Sequence, residues 1–303
     1  MIRLLLGASL LLGLTTAAPA LAEAPCRAEI EPPAPAAYAG NTGAGYQVFA
    51  ANPRAEVVPI NIKHRGEACD YALTITGPAE AGFGLARSAG ETLRFALSEF
   101  PDGRPLVRPI SAPGGVAVRG RAPASARTRF RPLELYLSAP DGQVAAPGLY
   151  QTDLRLRLYL DTGSGWAFAH EVSLSAALPV AASIDLGFAA GGAGASSQDL
   201  TLDIDASGGR ASTMLHARSN TRFSARVETE NDFTLKRTDG LSGAALDYAL
   251  SLGGRQADGG GLDFNRPAGE ESEIPVIVQV DAQPSTPPAG VYRDTVRIIV
   301  TAE

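Results

Sequence analysis

Apolar and polar residues alternate with a period of two along much of this chain, and helical periodicity is almost absent. A period of two sends successive side chains to opposite faces, so such a segment buries one face only as a β-strand. Leu154, Leu156, Leu158 and Leu160 alternate with Arg155 and Arg157, and Phe223-Ser224-Ala225-Arg226-Val227-Glu228 repeats the pattern. Leu200-Thr201-Leu202-Asp203-Ile204-Asp205 does so too, and Val57–Lys63 and Cys69–Thr76 read as two strands separated by His64-Arg65-Gly66-Glu67. Gly (33) and Pro (22) punctuate the 303 residues at the short intervals that an all-β sandwich requires. At 45% hydrophobic the chain is too apolar for this turn-rich composition to signal disorder.

The beginning of the chain sets the expected compartment. Met1-Ile2-Arg3, the apolar run from Leu4 to Leu14, and Ala20-Leu21-Ala22 read as a secretory signal peptide over residues 1–22, cleaved before Glu23. The run is about half of the ~20 residues a membrane-spanning helix needs. A secreted chain with two cysteines is expected to join them, Cys26 to Cys69. Formal net charge is −6, which offers nucleic acid no general electrostatic footprint.

The chain also repeats itself. Pro147-Gly148-Leu149-Tyr150-Gln151-Thr152-Asp153 leads into the Leu154–Leu160 alternation, and Pro288-Ala289-Gly290-Val291-Tyr292-Arg293-Asp294 leads into Val296, Ile298 and Val300. Each is a Pro/Gly loop followed by a tyrosine anchoring the start of a half-buried strand, with Gly148, Tyr150 and Asp153 read against Gly290, Tyr292 and Asp294. Two tandem immunoglobulin-like sandwiches are expected, at 23–180 and 181–303, with the Gly/Ala/Ser stretch 189–197 a loop in the second. The halves differ in what comes next. After Leu160 a turn at Asp161–Gly165 introduces another strand through Trp166, Phe168, Val172, Leu174 and Leu178; nothing comparable follows Val300. The second sandwich is thus expected to lack its final strand and expose an apolar edge at Val296, Ile298 and Val300, unless a strand from elsewhere in that half closes it.

These residues resemble the spore coat protein U-like domains, the subunits of archaic chaperone–usher pili. The resemblance lies in Pro-x-Gly-x-Tyr-x-Asp-Thr-Val, in Ser219-Asn220-Thr221-Arg222-Phe223, in Glu230-Asn231-Asp232-Phe233-Thr234-Leu235, and in Leu246-Asp247-Tyr248-Ala249-Leu250. Cys26, and Cys69 ahead of Asp70-Tyr71-Ala72-Leu73, resemble the family's bridge. Two features depart from it: the second half has no cysteine pair, and the first carries an insertion-like segment around 101–131. The resemblance implies an incomplete sandwich completed by a strand from a periplasmic chaperone and then from an adjacent subunit, after passage through an outer-membrane usher. Only Glu23, Ala24 and Pro25 would precede Cys26 in the mature chain, too few to donate a strand, so the implied position is the pilus tip, on the cell surface. Alternatives are a free-standing secreted binding protein or lectin, and a two-domain periplasmic assembly chaperone.

No catalytic pattern is present. His64, His170 and His216 lack ligand spacing, no G-x-S-x-G, H-E-x-x-H or P-loop occurs, and neither a cofactor, a metal nor an enzymatic activity is expected. Arg119, Arg121, Arg127, Arg129 and Arg131 form the one basic cluster, read either as contact with a polyanion or acidic glycan or as a solvated strand face. Tyr38, Tyr46, Phe83, Val116 and Val118 lie in or beside Gly/Pro-rich loops and serve either as an exposed apolar surface-binding patch or as core.

Overall fold

The computed structural model describes residues 25–52, 54–188, 197–239, 245–257, 260–264, 269–285 and 287–302. The expected signal peptide and most of the 189–197 loop lie outside the described residues. The described residues form strands and turns without an α-helix, and no helix among them is long and apolar enough to cross a membrane.

The N-terminal strands are β1 (Arg27–Ile30), β2 (Ala36–Ala37), β3 (Glu56–Gly66), β4 (Cys69–Thr76), β5 (Ala79–Glu80), β6 (Phe83–Ser88), β7 (Glu91–Ser98), β8 (Val107–Arg108), β9 (Val118–Ala122), β10 (Ser125–Ser138), β11 (Gly148–Asp161) and β12 (Trp166–Val180). The C-terminal strands are β13 (Ile184–Phe188), β14 (Gly209–Ser219), β15 (Phe223–Thr229), β16 (Thr234–Arg237), β17 (Ala245–Asp247), β18 (Ala249–Leu252), β19 (Arg255–Gln256), β20 (Gly261–Phe264), β21 (Glu271–Val280), β22 (Tyr292–Arg293) and β23 (Val296–Ala302).

Both halves are immunoglobulin-like sandwiches laid down in the same order. In the first, β1, β3, β10 and β7 are successive neighbours, and β4, β11 and β12 pack against them as the second layer. Because β7 also pairs with β6, and β6 with β11, the twelve strands form one continuous sheet. In the second, β13, β14, β21 and β18 form one layer, and β20, β15 and β23 the other. Alternation does the sorting: on β11 the leucines at 154, 156 and 158 are fully buried, while Arg155 and Arg157 between them, and Asp153 before them, are on the outward face. The buried apolar residues gather into two cores, one spanning Ala28 to Val180 and the other Leu215 to Val280.

Two devices staple the first sandwich. Cys26 and Cys69 are joined by a disulfide across 43 residues, clamping β1 beside the β3–β4 corner. Tyr150, buried at the start of β11, donates its hydroxyl to the Ala146 carbonyl (3.2 Å) and to Glu91 (2.8 Å). Tyr292 makes the same return contact, its hydroxyl donating to the Pro288 carbonyl four residues back (2.9 Å). Such a tyrosine corner opens the sixth strand of immunoglobulin-like sandwiches, so β11 and β23 hold equivalent places.

The junction is fixed by Asn220, which is 1% exposed. Its amide donates to the carbonyls of Ala145 (3.0 Å) and Ala181 (2.9 Å), and its carbonyl accepts from the Ser183 N–H (2.8 Å). Arg218 lies over the Phe49 ring at 4.8 Å across the same junction.

Candidate functional site

The edge formed by β23 is the candidate site. Its sequence, Val296-Arg297-Ile298-Ile299-Val300-Thr301-Ala302, is rich in β-branched residues that suit a pleated, half-buried surface. It pairs antiparallel with β15 in unbroken register, Val296 opposite Thr229, Ile298 opposite Val227 and Val300 opposite Ala225. Among the described residues no strand pairs with its other edge. Val296, Ile298 and Val300 touch the core of the second sandwich yet stay half-buried, whereas Ala225 and Val227 beside them are buried.

The opposite layer repeats the arrangement. Its edge strand β13 pairs, among the described residues, with β14 alone, and Ile184, Leu186 and Phe188 are half-buried against the same core. Leu200, Leu202 and Ile204 also pack there, but the alternating segment 200–205 does not form the expected strand. It lies extended beside the start of β14, with Gln198 accepting from the Thr213 hydroxyl (2.6 Å), and Asp205 is taken up in a turn with Ser207 and Gly208. A seven-stranded sandwich seats its last strand along the sixth, as β12 lies along the whole of β11. The second sandwich presents half-exposed apolar rows on an edge of each layer.

The approach to β23 is rigid. The Asp294 carboxylate accepts from the Asn231 backbone N–H (3.0 Å), the Asn231 side-chain amide (2.9 Å), the Thr295 N–H (2.8 Å) and the Tyr248 hydroxyl (2.7 Å). Burial, and then this carboxylate, push the Tyr248 phenol far above its ordinary range. Asp232 and Phe233 turn the chain with φ of 54° and 57°, and the Phe233 ring packs on Tyr248 at 5.8 Å. Asp153 is no counterpart of Asp294: it lies one place later in its repeat and points outward from β11, exposed. The repeat therefore resides in the Gly148/Gly290 and Tyr150/Tyr292 pairs.

The expected apolar patch on the first sandwich requires correction. Tyr38 and Tyr46 have no exposed surface and Val118 has 1%. The Tyr46 hydroxyl donates to the Pro140 carbonyl (3.1 Å) and accepts from the Gln143 N–H (2.9 Å), bolting its glycine-rich loop onto the core. Val116 is half-buried against that core, and Phe83 is half-buried with Arg94 5.9 Å from its ring. The apolar side chains that do reach solvent are elsewhere, Phe100, Ile110, Phe130 and Phe168 among them.

The basic cluster divides between two strands. Arg119 and Arg121 lie on β9, with Arg121 3.7 Å from Asp70 and Arg119 5.9 Å from the Trp166 ring, and Arg127, Arg129 and Arg131 lie on the exposed half of β10. Among the described residues no group of three His, Cys, Asp or Glu side chains could hold a metal ion. His170 accepts from the Ile30 N–H (3.2 Å), and His216 meets Glu271 (3.0 Å).

No family model matches the chain, and no curated protein matches it at a significant level. Solved structures with related architecture do. The chaperone–tip adhesion subunit pre-assembly complex of the archaic Csu pili of Acinetobacter baumannii matches at 13% identity and a TM-score of 0.44, over 86% of this chain and 89% of that one. The CupB6 tip adhesin of Pseudomonas aeruginosa matches at 9% and 0.37, over 92% and 94%. A mutant of the CFA/I adhesin CfaE of enterotoxigenic E. coli matches at 14% and 0.33, over 91% and 82%. At these scores the likenesses carry no weight for function, which has to be read from the chain's own edges.

Proposed function

We propose that this chain is a secreted adhesive subunit of a chaperone–usher pilus, positioned at the tip. Its second sandwich takes a strand from a periplasmic chaperone and then from the adjacent subunit, and its first meets the surface. The observation that carries the reading is the unpaired edge of β23, with half-exposed Val296, Ile298 and Val300 set over the same core as the half-exposed row on β13. An added strand would bond to the free N–H and C=O groups, and its apolar side chains would cover both rows; backbone bonding supplies affinity and alternate side chains fix register. The tip position is supported by β1, which is paired to β3 and clamped by the disulfide, so that it serves its own sheet rather than a neighbour's. The first sandwich, with β12 in place beside β11, needs no donated strand.

The test fuses to the C-terminus, through a flexible tether, a strand matching the seven residues of β23 with apolar residues at alternate positions. The fused chain should resist protease and melt higher than the unfused chain. An unfused chain that is already a protease-resistant monomer, and is unaltered by the strand, would sink the proposal and favour a free-standing secreted binding protein.

A further inference from the structure

The outer face of the first sandwich carries a pocket of about 360 Å³, lined by Thr76, Gly77 and Pro78 after β4, by Pro109, Ile110 and Ser111 after β8, and by Asp153, Arg155 and Arg157 on β11. Alternation explains the charged wall: with Leu154, Leu156 and Leu158 turned into the core, Asp153, Arg155 and Arg157 all project outward, about 6.6–6.8 Å from one to the next. Pairing of β8 with Ile75 and Thr76 brings the 109–111 segment alongside and makes a second wall, on which Ile110 is 89% exposed.

The two arginines are not equivalent. Arg157 meets Glu171 on β12 at 2.5 Å, so its charge is matched within the fold. Arg155 stands opposite Thr76 on one side and Ser173 on the other, and no carboxylate lies within ion-pairing reach of it among the described residues. An accessible guanidinium in a concave site is suited to a carboxylate or sulfate, which it can bind through two parallel N–H donors. Asp153 can accept from hydroxyls, as can Ser111, whose own proton goes to the Val116 carbonyl (3.3 Å), and Pro78, Pro109 and Ile110 offer apolar faces to C–H surfaces. The volume lies within the range of small-molecule sites. Beyond Arg157 the same face continues into Tyr159, stacked edge-on against exposed Phe168 at 6.0 Å, a platform on which further rings could lie.

We infer that this pocket binds an anionic sugar residue of a glycan, with Arg155 holding its acidic group and the Tyr159–Phe168 platform supporting the neighbouring ring. An exposed aromatic ring, braced edge-on by a second, beside hydroxyl-bonding groups favours a saccharide over a lipid headgroup. The inference lies wholly within the first sandwich and does not depend on strand acceptance by the second.

Calorimetric titration of the full mature chain with three probes tests it: an oligogalacturonate, its methyl ester and a sulfated oligosaccharide. At least one acidic probe should bind, and the ester at least tenfold more weakly than the acid if carboxylate is the group recognised. Preference for the sulfated probe upholds the site with sulfate as that group. Arg155→Ala should weaken binding at least tenfold without moving the melting temperature, and Ile110→Ala several-fold. Arg121→Ala, outside the pocket, should leave binding unchanged. Absence of binding by both acidic probes, equal binding of acid and ester with no sulfate binding, or an Arg155→Ala variant that binds like wild type would each overturn the assignment.

Discussion

Replacing Ile298 with aspartate separates what β23 contributes to the free chain from what it contributes to a strand complex. Full burial of an isoleucine is worth about 1.5–3 kcal/mol, and Ile298 is half-buried over the core. About 1 kcal/mol is thus realised in the free chain and a similar amount is left for an incoming strand. Val296 and Val300 stand in the same position, so covering the row should contribute about 3 kcal/mol, roughly a 150-fold effect on an equilibrium constant. Ile298→Asp should cost the free chain only about 1 kcal/mol, because the carboxylate can still reach water. Once a strand covers it, an unpaired charge is trapped at a cost of several kcal/mol. The fused-strand protein should accordingly lose most of its gain in melting temperature. Arg297→Asp, on the exposed outward face one residue away, should lose little. Melting curves of the fused and unfused forms of both variants give the comparison. Equal losses at positions 297 and 298 would refute the inward-facing register on which the acceptor edge depends.

Three further outcomes follow from the same structure. Asn220→Ala removes three buried hydrogen bonds at the junction and should cost about 3 kcal/mol in denaturant unfolding, while Asn220→Asp should be worse, since its carboxylate would face the carbonyls of Ala145 and Ala181. Serine at Cys26 and Cys69 opens a loop of 43 residues and should destabilise the first sandwich by about 4 kcal/mol, visible as a lower denaturant midpoint under non-reducing conditions. Burial raises the Tyr38 and Tyr150 phenols to about 12 in the fold, against about 10 for a free phenol. The unfolded chain releases these protons first, so stability should hold below pH 10 and fall between pH 10 and about 12, with a shallower fall for Tyr150→Phe.

What could be read from the sequence is what depends on local periodicity. The alternation at 154–160 specified the buried leucines of β11, and the Gly-x-Tyr repeat located two strands whose tyrosines make the same hydroxyl contact four residues back. Features set by distant partners could not be read this way. Tyr38 and Tyr46 stand in a glycine-rich loop that resembles an exposed tip, but Tyr46 is held through the backbone of residues 140 and 143, nearly a hundred positions away. Asn220 appeared as a motif residue with no sign that it bridges Ala145, Ala181 and Ser183. Leu200, Leu202 and Ile204 alternate as cleanly as any strand and still find no ladder, because alternation states which face is buried and not which backbone stands alongside. The pocket beside Arg155 was equally hidden, since its second wall comes from a segment more than forty residues earlier, brought there by β8.

The contrast between β11 and β23 ties these observations to the proposed role. β11 begins at a tyrosine corner and β23 follows one at Tyr292, and each lies beside its third-strand partner, β4 or β15. On the far side, β11 has β12 along its full length, and Leu154, Leu156 and Leu158 are completely covered. Val296, Ile298 and Val300 keep the same spacing and the same inward direction, yet they stop at half-burial. Composition does not account for the difference, because leucine, isoleucine and valine are comparably apolar. What differs is the neighbouring strand: among the described residues none joins β23 on that side, which leaves backbone donors and acceptors free beside an apolar row. A monomeric fold ordinarily blunts such an edge with charge, proline or a bulge. Here Arg297 and Thr301 face outward, the register with β15 is unbroken, and no proline interrupts the strand. An edge left straight, with an apolar inward row and its one charge, Arg297, turned outward, is what strand acceptance requires.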